Sequence, residues 1–159
     1  MAIGGDDLKR LRRCVDLARI ALEAGDEPFG SILVDAEGRV LFEDRNRVQG
    51  GDATRHPEFE IARWAASHLT PTQRASAIVY TSGEHCPMCS AAHAWVGLGR
   101  IVYATSSAQL TQWLAEWGSD PSPVAPLPIS TVAPGVVAEG PVAEYAAEMK
   151  SLYAAKFAR

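Results

Sequence analysis

The chain has 159 residues, of which 47% are hydrophobic, and its formal net charge at pH 7 is −4. This length and composition predict one domain over residues 1–159 with its own core, and the acidic charge disfavours nucleic acid or an anionic membrane surface as partner. Three cysteines do not make a disulfide framework, and residues 1–7 show no signal-peptide pattern. We therefore expect a cytoplasmic protein without a membrane-spanning segment.

The first predicted helix is capped by Asp6 or Asp7 and ends at Gly25. Apolar residues recur along it at intervals of three or four, which is the spacing of an amphipathic helix: Leu8, Leu11, Val15, Ala18 and Leu22. The other faces of this helix carry four basic residues: Lys9, Arg10, Arg12 and Arg13. They fit an RNA-binding patch or a solvated helix face, and the acidic net charge favours the solvated face.

Five short apolar runs downstream are predicted strands, at residues 31–34, 39–43, 76–81, 101–104 and 129–132. The first two are joined by a short turn and predict an antiparallel pair. Helices are predicted at 58–68 and 87–96, after a cap at Ser106 or Ser107, and at 142–157, and the Pro-rich stretch 119–128 is a connection. This alternation predicts an α/β fold in which helices cover both faces of one sheet.

Two short motifs carry the chemistry of the chain, His56-Pro57-Glu58 and Cys86-Pro87-Met88-Cys89. His56, Cys86 and Cys89 offer one nitrogen and two thiolates to a Zn²⁺ ion, and this set leaves the fourth tetrahedral position to water. Glu58 lies two residues from the ligand histidine, where it can move protons without being a ligand. A His-x-Glu motif followed by Pro-Cys-x-x-Cys is typical of zinc deaminases, although His85 here replaces the proline before the first cysteine.

Each half of this pattern has another interpretation when it stands alone. Cys-x-x-Cys also fits a redox pair or half of a structural zinc site. A structural site would need a fourth ligand, and the remaining candidates show no obvious pairing with the motifs: Cys14, His68, His85 and His93. We therefore expect one catalytic Zn²⁺ per chain, at an edge of the sheet where both motifs begin helices.

On these motifs the chain resembles the cytidine-deaminase superfamily, and within it the nucleobase deaminases of the bacterial guanine-deaminase type. Further segments share this resemblance: Pro28-Phe29-Gly30, Asn46, Asp52, Thr54, and Tyr80-Thr81-Ser82. The resemblance implies a three-layer α/β/α sandwich with a mixed five-stranded sheet. It also implies zinc-dependent hydrolysis of a small heterocycle of guanine, cytosine or aminotriazine type, with release of ammonia.

The resemblance also implies substrate contacts. Asn46 would hydrogen-bond the ring, unless it is only a loop residue. Glu116 would accept N–H bonds from a base with a ring N–H or second amine beside its amidine, although it also fits a surface helix. Phe29 and Trp95 would form apolar walls, although Trp95 also fits a core position, and His85 would hydrogen-bond a thiolate or reach the pocket rim.

A homodimer is implied as well, in which the C-terminal helix covers a pocket with Tyr153 and Phe157. Trp113, Trp117 and that helix offer the apolar surface for it.

Two other functions are compatible with the motifs. A tRNA adenosine deaminase would share the fold and the zinc set, but it needs a basic surface, and the C-terminal basic residues are sparse: Lys150, Lys156 and Arg159. A non-catalytic, zinc-stabilised dimerisation module would not need the proton carrier Glu58.

Overall fold

The computed structural model describes residues 2–158, and its centre is a sheet with strand order β2-β1-β3-β4-β5. The strands are β1 Gly30–Val34, β2 Val40–Arg45, β3 Ile78–Gly83, β4 Ile101–Thr105 and β5 Ala138–Glu139. β1 is antiparallel to both β2 and β3, whereas β3, β4 and β5 run parallel. The prediction of a mixed five-stranded sheet is confirmed.

Helices cover both faces of this sheet. They are α1 Gly5–Glu23, α2 Pro57–His68, α3 Pro71–Ser76, α4 Pro87–Trp95, α5 Ser107–Glu116, α6 Ile129–Val132 and α7 Ala146–Phe157, with short 3-10 turns at Val48–Gly50 and Ala143–Tyr145. One face packs against α1, α5 and α7, and the other against α2, α4 and α6. Side chains alternate accordingly along each strand: Val102 joins the core beneath α1, while Ile101 packs against Ile129 of α6.

Two predicted strands differ from the structure. Residues 129–132 form helix α6, because the amide of Ile129 donates to Glu84 Oε2 at 2.9 Å and so finds no strand partner. The fifth strand is instead the short pair Ala138–Glu139. The predicted start of the third strand belongs to α3, which Thr70 and Gln73 cap reciprocally. A short apolar run does not distinguish a strand from a buried helical turn.

Two of the four basic residues on α1 form ion pairs within the chain. Arg12 contacts Asp16 and Glu148, Arg13 contacts Glu43, and all these ion pairs lie within 2.9 Å. This arrangement supports the solvated-face interpretation over an RNA-binding patch. The helix itself begins one turn earlier than expected, at Gly5, because the amide of Gly4 donates to Asp7 Oδ2 at 2.9 Å.

Within residues 2–158, none of the helices combines the length and apolarity required to cross a bilayer.

Candidate metal centre and active site

Two helix N-termini meet at the site. His56 is the N-cap residue of α2 and Cys86 that of α4, and each is followed by a proline that suits the first helical turn. Cys89 lies in the first turn of α4, on the same side as Cys86. Backbone N–H groups at a helix N-terminus favour negative charge, so the local structure suits thiolates.

The three candidate ligands have the spacing of a zinc set. His56 Nδ1 lies 3.5 Å from Cys86 Sγ and 3.6 Å from Cys89 Sγ, and all three ligand atoms lie within 4.8 Å of one another. Zinc bonds of ordinary length to nitrogen and sulfur place those atoms about 3.6 Å apart in a tetrahedron. Within residues 2–158, the close group of ligand atoms contains these three residues alone. The donor set therefore fits zinc with one open position.

The protonation of this cluster also suits a metal site. A hydrogen bond with Cys89 lowers the pKa of the Cys86 thiol to about 4, and the same contact raises the pKa of Cys89. Burial disfavours the imidazolium of His56, but Cys86 and Glu58 outweigh it and raise its pKa to about 9. A thiolate is thus already stable in this environment, and metal binding would displace the remaining protons.

Glu58 is buried beside the cluster, with a side chain 5% exposed. Its Oε1 accepts a hydrogen bond of 3.0 Å from Ser31 Oγ of β1, and the Thr81 hydroxyl of β3 lies 3.4 Å away. Burial raises the pKa of this carboxyl group to about 7, although the charge of His56 opposes the rise. A group poised near neutral pH can both accept and return a proton.

A cavity of about 180 Å³ opens above these groups. Phe29, Asn46 and Tyr153 lie in its wall together with Glu58 and His56. The Tyr153 ring packs 5.5 Å from that of Phe29, and its hydroxyl lies 3.1 Å from Thr105 Oγ1. Tyr153 reaches the cavity from helix α7 of its own chain. These three predicted contact residues therefore lie where a ligand would meet them.

Three other predicted contact residues do not line this cavity. Trp95 is 88% exposed at the C-terminal end of α4, whereas the cavity lies at the other end of that helix. Glu116 is exposed on the last turn of α5, next to Gln112 and Lys150. His85 is fully buried and packs edge-on against His93, with ring centres 5.4 Å apart.

The cavity wall also contains groups that the sequence did not single out. Glu27, immediately before Pro28-Phe29-Gly30, places a carboxyl group in it, and Glu84 forms part of its rim. Residues 122–126 of the Pro-rich connection cover one side. The only available signal for Glu27 was an acidic residue next to a segment of family resemblance.

Comparison with known proteins agrees with this geometry. Residues 5–105 match the family model of the cytidine and deoxycytidylate deaminase zinc-binding region. The chain belongs to this family. The prediction of a zinc-dependent deaminase, a hydrolase acting on C–N bonds, is confirmed, and so is its cofactor, zinc.

Individual relatives of this deaminase are similar over most of its length. A probable cytosine deaminase of Schizosaccharomyces pombe is 35% identical over 117 residues, which cover 72% of this chain and 70% of the relative. A guanine deaminase of Bacillus subtilis is 38% identical over 96 residues, which cover 59% and 61%. The solved guanine deaminase from Nitrosomonas europaea superposes with a TM-score of 0.69 at 20% identity, over 96% of this chain and 86% of that one. This last similarity confirms the fold.

Proposed function

We propose that this deaminase hydrolyses the exocyclic amine of a small free nucleobase or similar heterocycle, of cytosine, guanine or aminotriazine type, and releases ammonia. The observation that carries the proposal is the buried Glu58 carboxyl group beside a three-ligand zinc set, at the base of a cavity of about 180 Å³. The named relatives that act on cytosine and guanine support the substrate class.

The residues of the site have distinct roles in this reaction. Zinc, when bound by His56, Cys86 and Cys89, supplies a Lewis acid that makes a water molecule more acidic. Glu58 takes a proton from the attacking water and passes it to the ring nitrogen; it then takes the proton of the newly added hydroxyl group and passes it to the departing amine, which leaves as ammonia while the C=O bond forms. Ser31 holds Oε1 of Glu58 and thereby fixes the orientation of the carboxyl group. The Phe29 and Tyr153 rings exclude water from one side of the substrate.

We also propose that the protein is a homodimer in the cytoplasm. Trp95 and Val137 are 88% and 59% exposed, and such apolar side chains favour burial against a second copy. Trp113, which the sequence suggested for this surface, is instead 8% exposed and packs against Tyr153. A reducing compartment would keep Cys86 and Cys89 available as thiolates.

A substrate panel tests the reaction. The zinc-loaded protein is incubated with free bases, aminotriazines, nucleosides and a tRNA anticodon stem-loop, and ammonia release is measured. We expect turnover of at least one small free heterocycle. Glu58→Ala should keep its zinc and lose activity by about a hundred- to ten-thousandfold, because one side chain carries both proton-transfer roles. Faster turnover of the RNA than of every free base, or no ammonia from any compound, would contradict the proposal.

A further inference from the structure

Two acidic residues besides Glu58 line the cavity: Glu84, whose carboxylate oxygens accept from the Ser107 and Ile129 amides, and Glu27. Its main chain is held on both sides: the Phe29 amide donates to the Glu27 carbonyl at 2.9 Å, and the Glu27 amide donates to Asn46 Oδ1 at 3.3 Å. Glu27 and Asn46 therefore lie next to each other in the cavity wall. The short segment that positions Phe29 therefore also positions Glu27.

The Glu27 carboxyl group has no hydrogen-bond donor from the protein in residues 2–158. Three charged groups surround it, Asp26, His56 and Lys156. Lys156 Nζ donates elsewhere, to the Gly25 carbonyl at 2.9 Å, and Asp26 binds Arg45 at 2.6 Å. Burial raises the pKa of Glu27, which reflects its poor solvation. Glu27 is partly buried, and a carboxyl group that is poorly solvated and has no protein donor would be stabilised by a ligand that supplies an N–H group.

Asn46 complements this acceptor. Its Oδ1 accepts from two backbone amides, those of Glu27 and of Val48, at 3.3 and 3.1 Å. The side-chain oxygen is thus occupied, and within the described residues its Nδ2 donates to no protein group. The wall therefore presents one N–H donor, from Asn46, beside one acceptor, from Glu27. A ring with a carbonyl or bare nitrogen next to an N–H group matches this pair.

We propose that Glu27 determines specificity by accepting a hydrogen bond from a substrate N–H group outside the reacting amidine. This inference rests on the proposed deamination of small bases and narrows the substrate to unsubstituted ones. The N1–H of cytosine and the N9–H of guanine are groups of this kind. Nucleosides and nucleotides carry a sugar at that nitrogen, so Glu27 would reject them both by losing its donor and by contact with the sugar. From the sequence we expected Glu116 to accept N–H bonds from the base. Glu27 takes this role instead.

N-methylated bases test the proposal. Cytosine is compared with 1-methylcytosine, and guanine with 9-methylguanine, by calorimetric binding and by kcat/KM from ammonia release. For the base that binds best, we expect the wild-type kcat/KM to exceed that for its N-methyl analogue by at least about tenfold. A site built to hydrogen-bond a donor rejects the analogue that lacks this donor. Glu27→Met keeps the length of the side chain without its oxygens and should lower that preference at least about tenfold. Glu23→Gln, at the exposed C-terminal end of α1, is the matched control and should leave it unchanged.

The outcomes separate this inference from the proposed function. If the wild type binds and deaminates a base but Glu27→Met keeps the same preference, Glu27 does not contact the donor and only this inference is wrong. A loss of zinc in Glu27→Met, with equal weakening for parent and methylated bases, also overturns it, because Glu27 would then orient His56. If the wild type neither binds nor deaminates any base, both proposals are wrong.

Discussion

Glu58 is held by the sheet, although it belongs to a helix. Ser31 Oγ of β1 and Thr81 Oγ1 of β3 lie 2.8 Å apart, and both hydroxyl groups face the Glu58 carboxyl group. Two neighbouring strands thus fix the position of the proposed proton carrier relative to the candidate ligands at the starts of α2 and α4. Such support from residues behind the reacting groups keeps the catalytic geometry rigid.

The zinc set gives a prediction for single cysteines. The wild type should bind one zinc per chain, and Cys89→Ala should lose most of it, because its thiolate is one of the three candidate ligands within residues 2–158. The control is Cys14→Ala: Cys14 is as buried as Cys89 but lies in the core beneath α1. Metal analysis of the purified variants after dialysis measures the content. Full zinc retention in Cys89→Ala would mean that other residues ligate the metal.

The sequence correctly brought His56, Cys86, Cys89 and Glu58 together, because each motif spans at most four residues and a helix start fixes its local geometry. The predicted contact residues that lie outside the cavity depend on the direction in which a side chain leaves its helix. Trp95 follows Cys89 by six residues, which is far enough along α4 to leave the cavity altogether. His85 is adjacent to a ligand in sequence, yet its ring is buried against His93. No short pattern encodes such directions.

At the scale of elements, Glu84 connects two helices at the cavity rim. Its Oε1 accepts from the Ser107 amide at the start of α5, and its Oε2 accepts from the Ile129 amide at the start of α6, both at 2.9 Å. The segment between these helices includes residues 122–126, which cover the cavity. One carboxylate thus joins the first residue of α5 to the first residue of α6, where the covering segment ends.

Replacing this carboxylate should loosen the cover. Glu84→Gln keeps one acceptor and turns an amide NH₂ group toward a backbone N–H group, which should cost about 1–3 kcal/mol in the free energy of unfolding. We expect KM to rise more than kcat falls, since the reacting groups are not altered. Denaturant unfolding and steady-state kinetics measure the two effects.

The matched control is Glu116→Gln, which changes an exposed carboxylate whose cation, Lys150, is 3.7 Å away. It should shift stability by less than about 0.5 kcal/mol and leave kinetics unchanged. Equal effects of the two variants would show that Glu84 does not hold the cover.

The misassigned strand at 129–132 belongs to the same scale. Its four residues have the composition of a strand. The hydrogen bond from the Ile129 amide to Glu84, 45 positions earlier in the chain, stabilises a helix instead. Helices α2 and α4 were predicted to within one residue at each end, because caps, prolines and apolar spacing all lie within the element. Elements determined by distant partners were the ones that the sequence left ambiguous.

At the scale of the molecule, the ion pairs between α1 and α7 lie on one face and the exposed Trp95 side chain lies on the opposite face. Arg12 and Arg19 both bind Glu148 of α7, so the C-terminal helix is tied to α1 of the same chain. Burial opposes ionisation of Glu148, but the hydrogen bond from Arg12 dominates and lowers its pKa to about 2. This side of the molecule therefore offers little unpaired positive charge to a nucleic acid backbone.

The opposite face carries the most exposed large apolar side chain of residues 2–158, that of Trp95. Trp95 projects beside a groove that is lined by Leu98 and by residues 132–136 of α6 and the following loop. A stable homodimer buries about 800 Å² on each partner, and a central exposed tryptophan is the kind of residue that contributes most to such an interface. Light scattering of the wild type should give about twice the chain mass of 17.0 kDa.

Trp95→Glu places a charge at the centre of this face and should weaken the dimer by at least about thirtyfold in Kd, since hot-spot residues contribute about 2 kcal/mol or more. Val40→Glu is the control, because Val40 is also exposed but lies on strand β2 at the far edge of the sheet. It should remain dimeric. A monomeric wild type at working concentration would contradict the proposed dimer. A Trp95→Glu dimer of unchanged Kd would show that the interface lies on another face.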